Sequence, residues 1–137
     1  DILMSARKWS LGGQLHKLRE FNTWLGTVPC GYKIVVAGNH DALAPELGAA
    51  RIQAALSHGT YLVNDHCRGP GGIRVFGCPH SSGRSHNRAF QSREWREAAE
   101  RVAEDVEEGR TDPPDILVSH GPMHALAERL GPRVHIR

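Results

Sequence analysis

Short apolar runs alternate along the chain with longer stretches in which apolar residues return every third or fourth position, the rhythm of strands exchanging with helices. Asp1-Ile2-Leu3-Met4 has the makeup of a buried strand. From Gln14 to Leu25 the residues Leu15, Leu18, Phe21 and Leu25 mark one helical face, and Gly26 supplies a stop. Lys33-Ile34-Val35-Val36-Ala37 is β-branched and nearly all apolar, which predicts a strand covered on both sides. It runs straight into Gly38-Asn39-His40-Asp41. Pro45 suits a first helical turn, and Leu47, Ile52, Ala55 and Leu56 carry that helix to His58-Gly59. Thr60 to Val63 and Ile73 to Gly77 predict two strands paired like a hairpin across Arg68-Gly69-Pro70-Gly71-Gly72.

Cys78 to Asn87 reads as a polar loop, and the strongest helical signal comes directly after it. Trp95, Ala99, Val102 and Val106 share one face, while Arg93/Glu97, Arg96/Glu100 and Glu97/Arg101 place charge pairs on the outer side, a solvated face. Gly109 and Pro113-Pro114 end that helix. Asp115 to Ser119 predicts a strand, His124 to Leu130 a short helix, and Val134 to Ile136 a last strand. Helices alternating with strands, with one strand pair in the middle, define an α/β class with a mixed sheet.

Composition narrows the reading without changing it. The 137 residues suffice for one domain with a core of its own. Glycine at 15 positions, above the usual ~7%, signals many tight turns. Lys+Arg at 17 against Asp+Glu at 15 leaves a formal charge of +2, no footprint for nonspecific nucleic-acid binding. No apolar stretch approaches the ~18 residues of a membrane span. Cys30, Cys67 and Cys78 are odd in number and lack CxxC spacing, so they read as free thiols in a reducing compartment, the cytoplasm, with no disulfide-linked partner expected.

Chemistry enters at two strand ends of the same style, an apolar run followed by His and Gly: Val36-Ala37-Gly38-Asn39-His40-Asp41 and Val118-Ser119-His120-Gly121-Pro122. Ligands of open α/β sheets bind beyond the carboxyl ends of strands. Imidazole and amide oxygen both ligate divalent metals, and imidazole titrates near neutrality, so Asn39, His40 and His120 form a candidate metal-and-acid constellation.

Those residues carry a resemblance. Gly38-Asn39-His40-Asp41 after Lys33-Ile34-Val35-Val36-Ala37, with Ser119-His120-Gly121-Pro122 further along, resembles the calcineurin-like metallophosphoesterase superfamily and, within it, the metallophosphoesterase-domain-containing subgroup. Phe21-Asn22-Thr23-Trp24-Leu25-Gly26 and Ile73-Arg74-Val75-Phe76-Gly77-Cys78-Pro79 are similar to that subgroup's runs as well. The resemblance covers nearly all of the chain from Phe21 onward. It implies one partial calcineurin-like phosphoesterase domain over residues 1–137, a β-sandwich flanked by helices. It also implies two divalent metals, Mn, Fe, Zn or Mg, and hydrolysis of a small phosphorylated substrate, a phosphodiester in particular, by a metal-bound hydroxide. Two cations lower the pKa of a bound water and clamp the phosphoryl oxygens as charge develops. Carried over, Asn39 and His120 are ligands of one metal, His40 stands near the leaving oxygen as acid or phosphate contact, and Asp41 orients His40.

The family pattern also contains an opening Asp-X-His, a Gly-Asp whose carboxylate bridges both metals, and a closing Gly-His-X-His. Nothing upstream of Asp1 supplies the first, Arg7-Lys8 stand where the second belongs, and the sequence reaches Arg137 before the third. Three explanations are open: a fragment of a full enzyme with a local anomaly between Ser5 and Leu11, a faulty reading frame around Lys8, or a degenerate family member. The expectation is a metal-dependent phosphoesterase incomplete at both ends. Its alternative is a catalytically silent binding or scaffold domain, motivated by Lys8 and the absent ligands.

Other residues carry less. Arg84, His86 and Arg88, with His80, read either as a substrate-facing loop or as polar surface. His16, His58, His66, His124 and His135 lack a pairing context and read as structural. Cys78 has no base near it and reads as a small buried residue. Trp9, Trp24 and Trp95 read as core or half-buried anchors.

Overall fold

The computed structural model describes residue 2 and residues 11–42, 44–83 and 88–137. Of the expected strand over Asp1–Met4 only Ile2 falls among them, and Arg7-Lys8, Trp9, Arg84 and His86 lie outside the described residues. The elements in chain order are α1 (Leu11–Thr27), β1 (Ile34–Val36), α2 (Ala44–Leu47), α3 (Ala49–Ala55), β2 (Thr60–Leu62), β3 (Asp65–Arg68), β4 (Arg74–Cys78), α4 (Arg93–Glu107), β5 (Ile116–Ser119), α5 (His124–Leu130) and β6 (Val134–Ile136). A mixed α/β architecture results. No helix among the described residues is long and apolar enough to cross a membrane.

Two sheets form. β1 and β2 pair in parallel, while β3, β4, β5 and β6 lie side by side in that order, the first pair antiparallel and the others parallel. The expected hairpin is corrected here: the strand expected over Ile73–Gly77 forms as Arg74–Cys78, but its antiparallel partner is Asp65-His66-Cys67-Arg68, and Thr60–Leu62 pairs with β1 instead. The polar pattern of β3 concealed it, because an edge strand with exposed residues has no apolar face to announce. The helix expected from Pro45 to His58 is also corrected, into α2 and α3. Gly48, at φ +77°, ends the first by donating its N–H to the Ala44 carbonyl (3.1 Å), and its own carbonyl starts the second.

Gln53 ties α3 to β2. Its side-chain N–H donates to the carbonyls of Leu56 and Gly59, both at 3.0 Å, and its Oε1 accepts from the Tyr61 N–H at 2.7 Å. One side chain thereby satisfies the loop that turns the chain into the strand.

The core falls into two parts. Leu18, Leu25, Val35, Ile52, Leu56 and Phe90 join α1 and α3 to the first sheet, with Trp95 set edge-on against Phe90 at 4.7 Å between ring centres. Phe76, Cys78 and Leu117 from the second sheet meet Ala99 and Ala103 of α4 and Leu126 and Leu130 of α5. The apolar face expected of α4 is the face that packs, and each fully buried large apolar side chain contributes about 1.5–3 kcal/mol. Outside, Arg93–Glu97 and Arg96–Glu100 pair as expected, and Arg129 of α5 grips Glu107 with two bonds of 2.8 Å. Trp24 departs from the expected anchor role: it is 58% exposed, leaning on Phe21.

The sheets meet at Gly77. A β-carbon there would lie 2.4 Å from the Leu62 β-carbon and 3.0 Å from Val36, so only hydrogen fits.

Candidate functional site

β1 delivers the chain into a closed four-residue loop. The Asp41 N–H donates to the Gly38 carbonyl (3.0 Å), and the Gly38 N–H donates back to Asp41 Oδ2 (2.7 Å). The other carboxylate oxygen accepts the Ile2 N–H at 2.7 Å. Asp41 is fully buried, and with both oxygens charge-assisted acceptors for backbone N–H groups it fixes the loop on which Asn39 and His40 ride.

β5 delivers the second half. The His120 N–H continues the ladder one step by donating to the Cys78 carbonyl (3.0 Å), and the His120 ring meets Asn39 Oδ1 through Nε2 at 2.8 Å. With an amide oxygen accepting, the ring donates. The two expected metal ligands, 81 positions apart in sequence, are therefore in direct contact, and His40 lies beside them in the same loop as Asn39. Burial holds the His120 imidazole below the ordinary histidine range, against the pull of the Asp41 carboxylate.

The loop carrying His120 is braced on both sides. A β-carbon on Gly121 would stand 2.8 Å from the Ser81 α-carbon and 2.9 Å from the His80 carbonyl oxygen, so the two loops touch backbone to backbone. His80 is itself buried and donates from Nδ1 to the Phe90 carbonyl at 2.8 Å. Burial lowers its pKa. Within that loop His80 is buried in the structure, whereas Arg88 is exposed. Cys78 is buried too, its thiol pushed up to about 11 by burial, a poor nucleophile.

Ser119 and His135 stand beside His120 as well; in the sequence Ser119 stood out only as part of the strand-end motif, and His135 read as structural. The Ser119 hydroxyl donates to the Gly121 carbonyl (2.7 Å) and meets His135 Nε2 at 2.7 Å. His135 carried no signal, because its place opposite Leu117 is a matter of strand register. A crevice of ≈ 420 Å³ opens from His120 along β1, with Ile34, Val36 and Val118 as apolar walls and Ser119 and Arg137 at its polar end.

Three histidines held low by burial, His80, His120 and His135, carry a pH consequence. In the unfolded chain each binds a proton near pH 6.5, whereas the folded protein resists it, so between the lowered folded values and about 6.5 the unfolded state holds more protons. Stability is full above about pH 6.5 and falls as pH drops below it. Thermal unfolding followed at pH 7.5 and 5.5 is expected to show the lower midpoint at pH 5.5.

Fold and site together define an α/β protein whose polar cluster sits at the carboxyl ends of two parallel strands drawn from separate sheets. No family model matches the chain. Over 41 residues, 30% of the chain, it is 44% identical to human Metallophosphoesterase domain-containing protein 1, and the mouse protein of the same name matches equally. The matched stretch spans 13% of the length of these relatives.

Proposed function

We propose that this chain belongs to a metal-dependent phosphoesterase of the metallophosphoesterase-domain type, acting on small phosphate esters and phosphodiesters in particular. The observation that carries it is the contact between Asn39 Oδ1 and His120 Nε2 at 2.8 Å, made by the two strand-end motifs. Were a divalent cation held here, Asn39 through its amide oxygen and His120 through a ring nitrogen would be its ligands from these two motifs. Among the described residues no group of three or more His, Cys, Asp or Glu is placed to hold a metal.

When bound, such a cation polarises phosphoryl oxygens and lowers the pKa of water. The chain's own residues do the rest. To act as a ligand through Nε2, the neutral His120 ring would carry its single proton on Nδ1 instead, the tautomer that leaves the Nε2 lone pair free, and burial favours the neutral ring. Asn39 turns its amide oxygen to the same point. His40 protonates or hydrogen-bonds the leaving oxygen, and Asp41 holds the loop that aims His40. The meeting of the two sheets at Gly77 supports a metallophosphoesterase-like sandwich, and an exposed Cys30 thiol suits the cytoplasm.

A second reading, a catalytically silent binding domain, is favoured by the fact that Asn39 and His120 already satisfy one another and that both donors are neutral. Purified chain supplied with manganese is expected to hydrolyse a chromogenic phosphodiester, and His40→Ala to lose roughly 100-fold or more, the usual contribution of general acid catalysis. An unchanged rate in that variant sinks the role of His40. Calorimetric titration with manganese separates the readings, since the silent domain takes up no metal.

A further inference from the structure

We infer that His135 is a positioning residue for His120, acting through Ser119. A serine hydroxyl has one proton, and a carbonyl oxygen can only accept. With Ser119 donating to Gly121 O at 2.7 Å, the hydroxyl has no proton left for His135, so the 2.7 Å contact between Ser119 Oγ and His135 Nε2 requires the imidazole to donate. His135 is thereby fixed with its proton on Nε2. The hydroxyl is held from both directions, and Ser119 is buried.

The arrangement has a target. Ser119 and Gly121 flank His120, so the hydroxyl-to-carbonyl bond spans the one residue whose ring reaches Asn39. Gly121 is pressed against the His80–Ser81 backbone on its other side. Among the described residues the turn is held by the Cys78 carbonyl of β4, the Ser81 backbone and the Ser119 hydroxyl, and the last of these is itself oriented by the strand on the side away from β4. That strand is β6. Without the His135 donor, the hydroxyl turns freely between Gly121 and water, and the His120 ring loses its fixed direction. Ser119 and His135 are thus a brace and not a nucleophile with its base, since the imidazole gives a proton to the hydroxyl where a base would take one.

The inference rests on the proposed function only for its use in metal binding; the brace itself is testable without metal. Three variants separate hydrogen bonding from packing. His135→Phe keeps a ring and removes the donor, His135→Gln places an amide N–H near the position of Nε2, and Ser119→Ala removes the acceptor. In the full chain with manganese alone as ligand, His135→Phe and Ser119→Ala are expected to weaken binding about 10–100-fold, the usual effect of losing a group that orients a metal ligand. His135→Gln is expected to stay close to the parent, and the double variant Ser119→Ala with His135→Phe to bind no more weakly than Ser119→Ala alone. Equal binding by His135→Phe and the parent, or a His135→Gln as weak as His135→Phe, overturns the inference. In metal-free protein, nitrogen-correlated imidazole spectra are expected to show His120 protonated at Nε2 in the parent and in His135→Gln, and averaged between tautomers in His135→Phe. An unaltered His120 signal in His135→Phe overturns the brace even if the parent takes up no manganese, an outcome that would count against the phosphoesterase reading separately.

Discussion

Replacing Asp41 with alanine is expected to lower the thermal midpoint by about 10–30 °C. Two backbone N–H groups, those of Ile2 and Gly38, depend on its carboxylate at 2.7 Å each. Hydrogen bonds to a charged group contribute roughly 1.5–3 kcal/mol apiece, and buried donors left without partners add their own desolvation cost. A combined loss of about 3–5 kcal/mol is a large share of the 5–15 kcal/mol that holds a typical domain together. At roughly 3–6 °C per kcal/mol for a chain of this size, that loss becomes the expected shift. Asp41→Asn keeps the shape but turns an amide N–H toward one of the two donors, so it recovers only part of the loss. The loop also loses its closure. Contact between Asn39 and His120 is therefore expected to weaken in both variants, seen as loss of the ordered His120 imidazole signal at a temperature where the protein is still folded. An Asp41→Ala midpoint within 3 °C of the parent would refute the role assigned to this carboxylate.

Gly77→Ala is expected to cost about 3 kcal/mol for the addition of one methyl group. In most strands the exchange is neutral or favourable, because glycine weakens a strand interior. Here the new carbon would sit 2.4 Å from the Leu62 β-carbon, an atom that moves only with its backbone. The sheets must separate or β4 must shift, and overpacking of this kind costs about 1–3 kcal/mol, occasionally more. Denaturant unfolding of Gly77→Ala checks the magnitude. Truncating the neighbour, as Leu62→Ala, leaves its β-carbon in place and is not expected to rescue the variant. Rescue would show that the side-chain tip, and not the approach of the two strands, sets the limit.

The parts of this structure legible in the sequence are those whose signal is local. The apolar stripe of α4, the run of β1 into Gly38-Asn39-His40-Asp41, and the helix His124–Leu130 with Gly131 at its left-handed end each declare themselves within a dozen residues. What could not be read depends on pairing. β3 is polar and sits at an edge, so no alternation of apolar residues marked it, and its absence from the pattern reassigned β2 to the wrong partner. Gly48, at a positive φ, is where the single helix expected from Pro45 to His58 divides. At the site, Asn39 and His120 were visible because each comes after an apolar strand and stands beside glycine or one residue from it. The pairing of Ser119 with His135 was not. Their meeting requires β5 and β6 to lie side by side in one register, and nothing in either segment states it. Asp41 was named as the residue orienting His40, but its two backbone N–H partners, Ile2 and Gly38, could not be read from the sequence.

The separation of Asn39 and His120 along the chain has a kinetic side. Bringing two points 81 residues apart together costs about 4 kcal/mol of loop-closure entropy, several times the roughly 1 kcal/mol that a neutral hydrogen bond returns. The contact cannot assemble itself. It is inherited from parallel pairings between segments distant in sequence, the slow, non-local kind of contact that sets folding rates. The pair can therefore close only after β1 and β5 have each found their sheets. A nascent or partly folded chain holds its two ligand residues but no site, and acquires one only as the last loops settle.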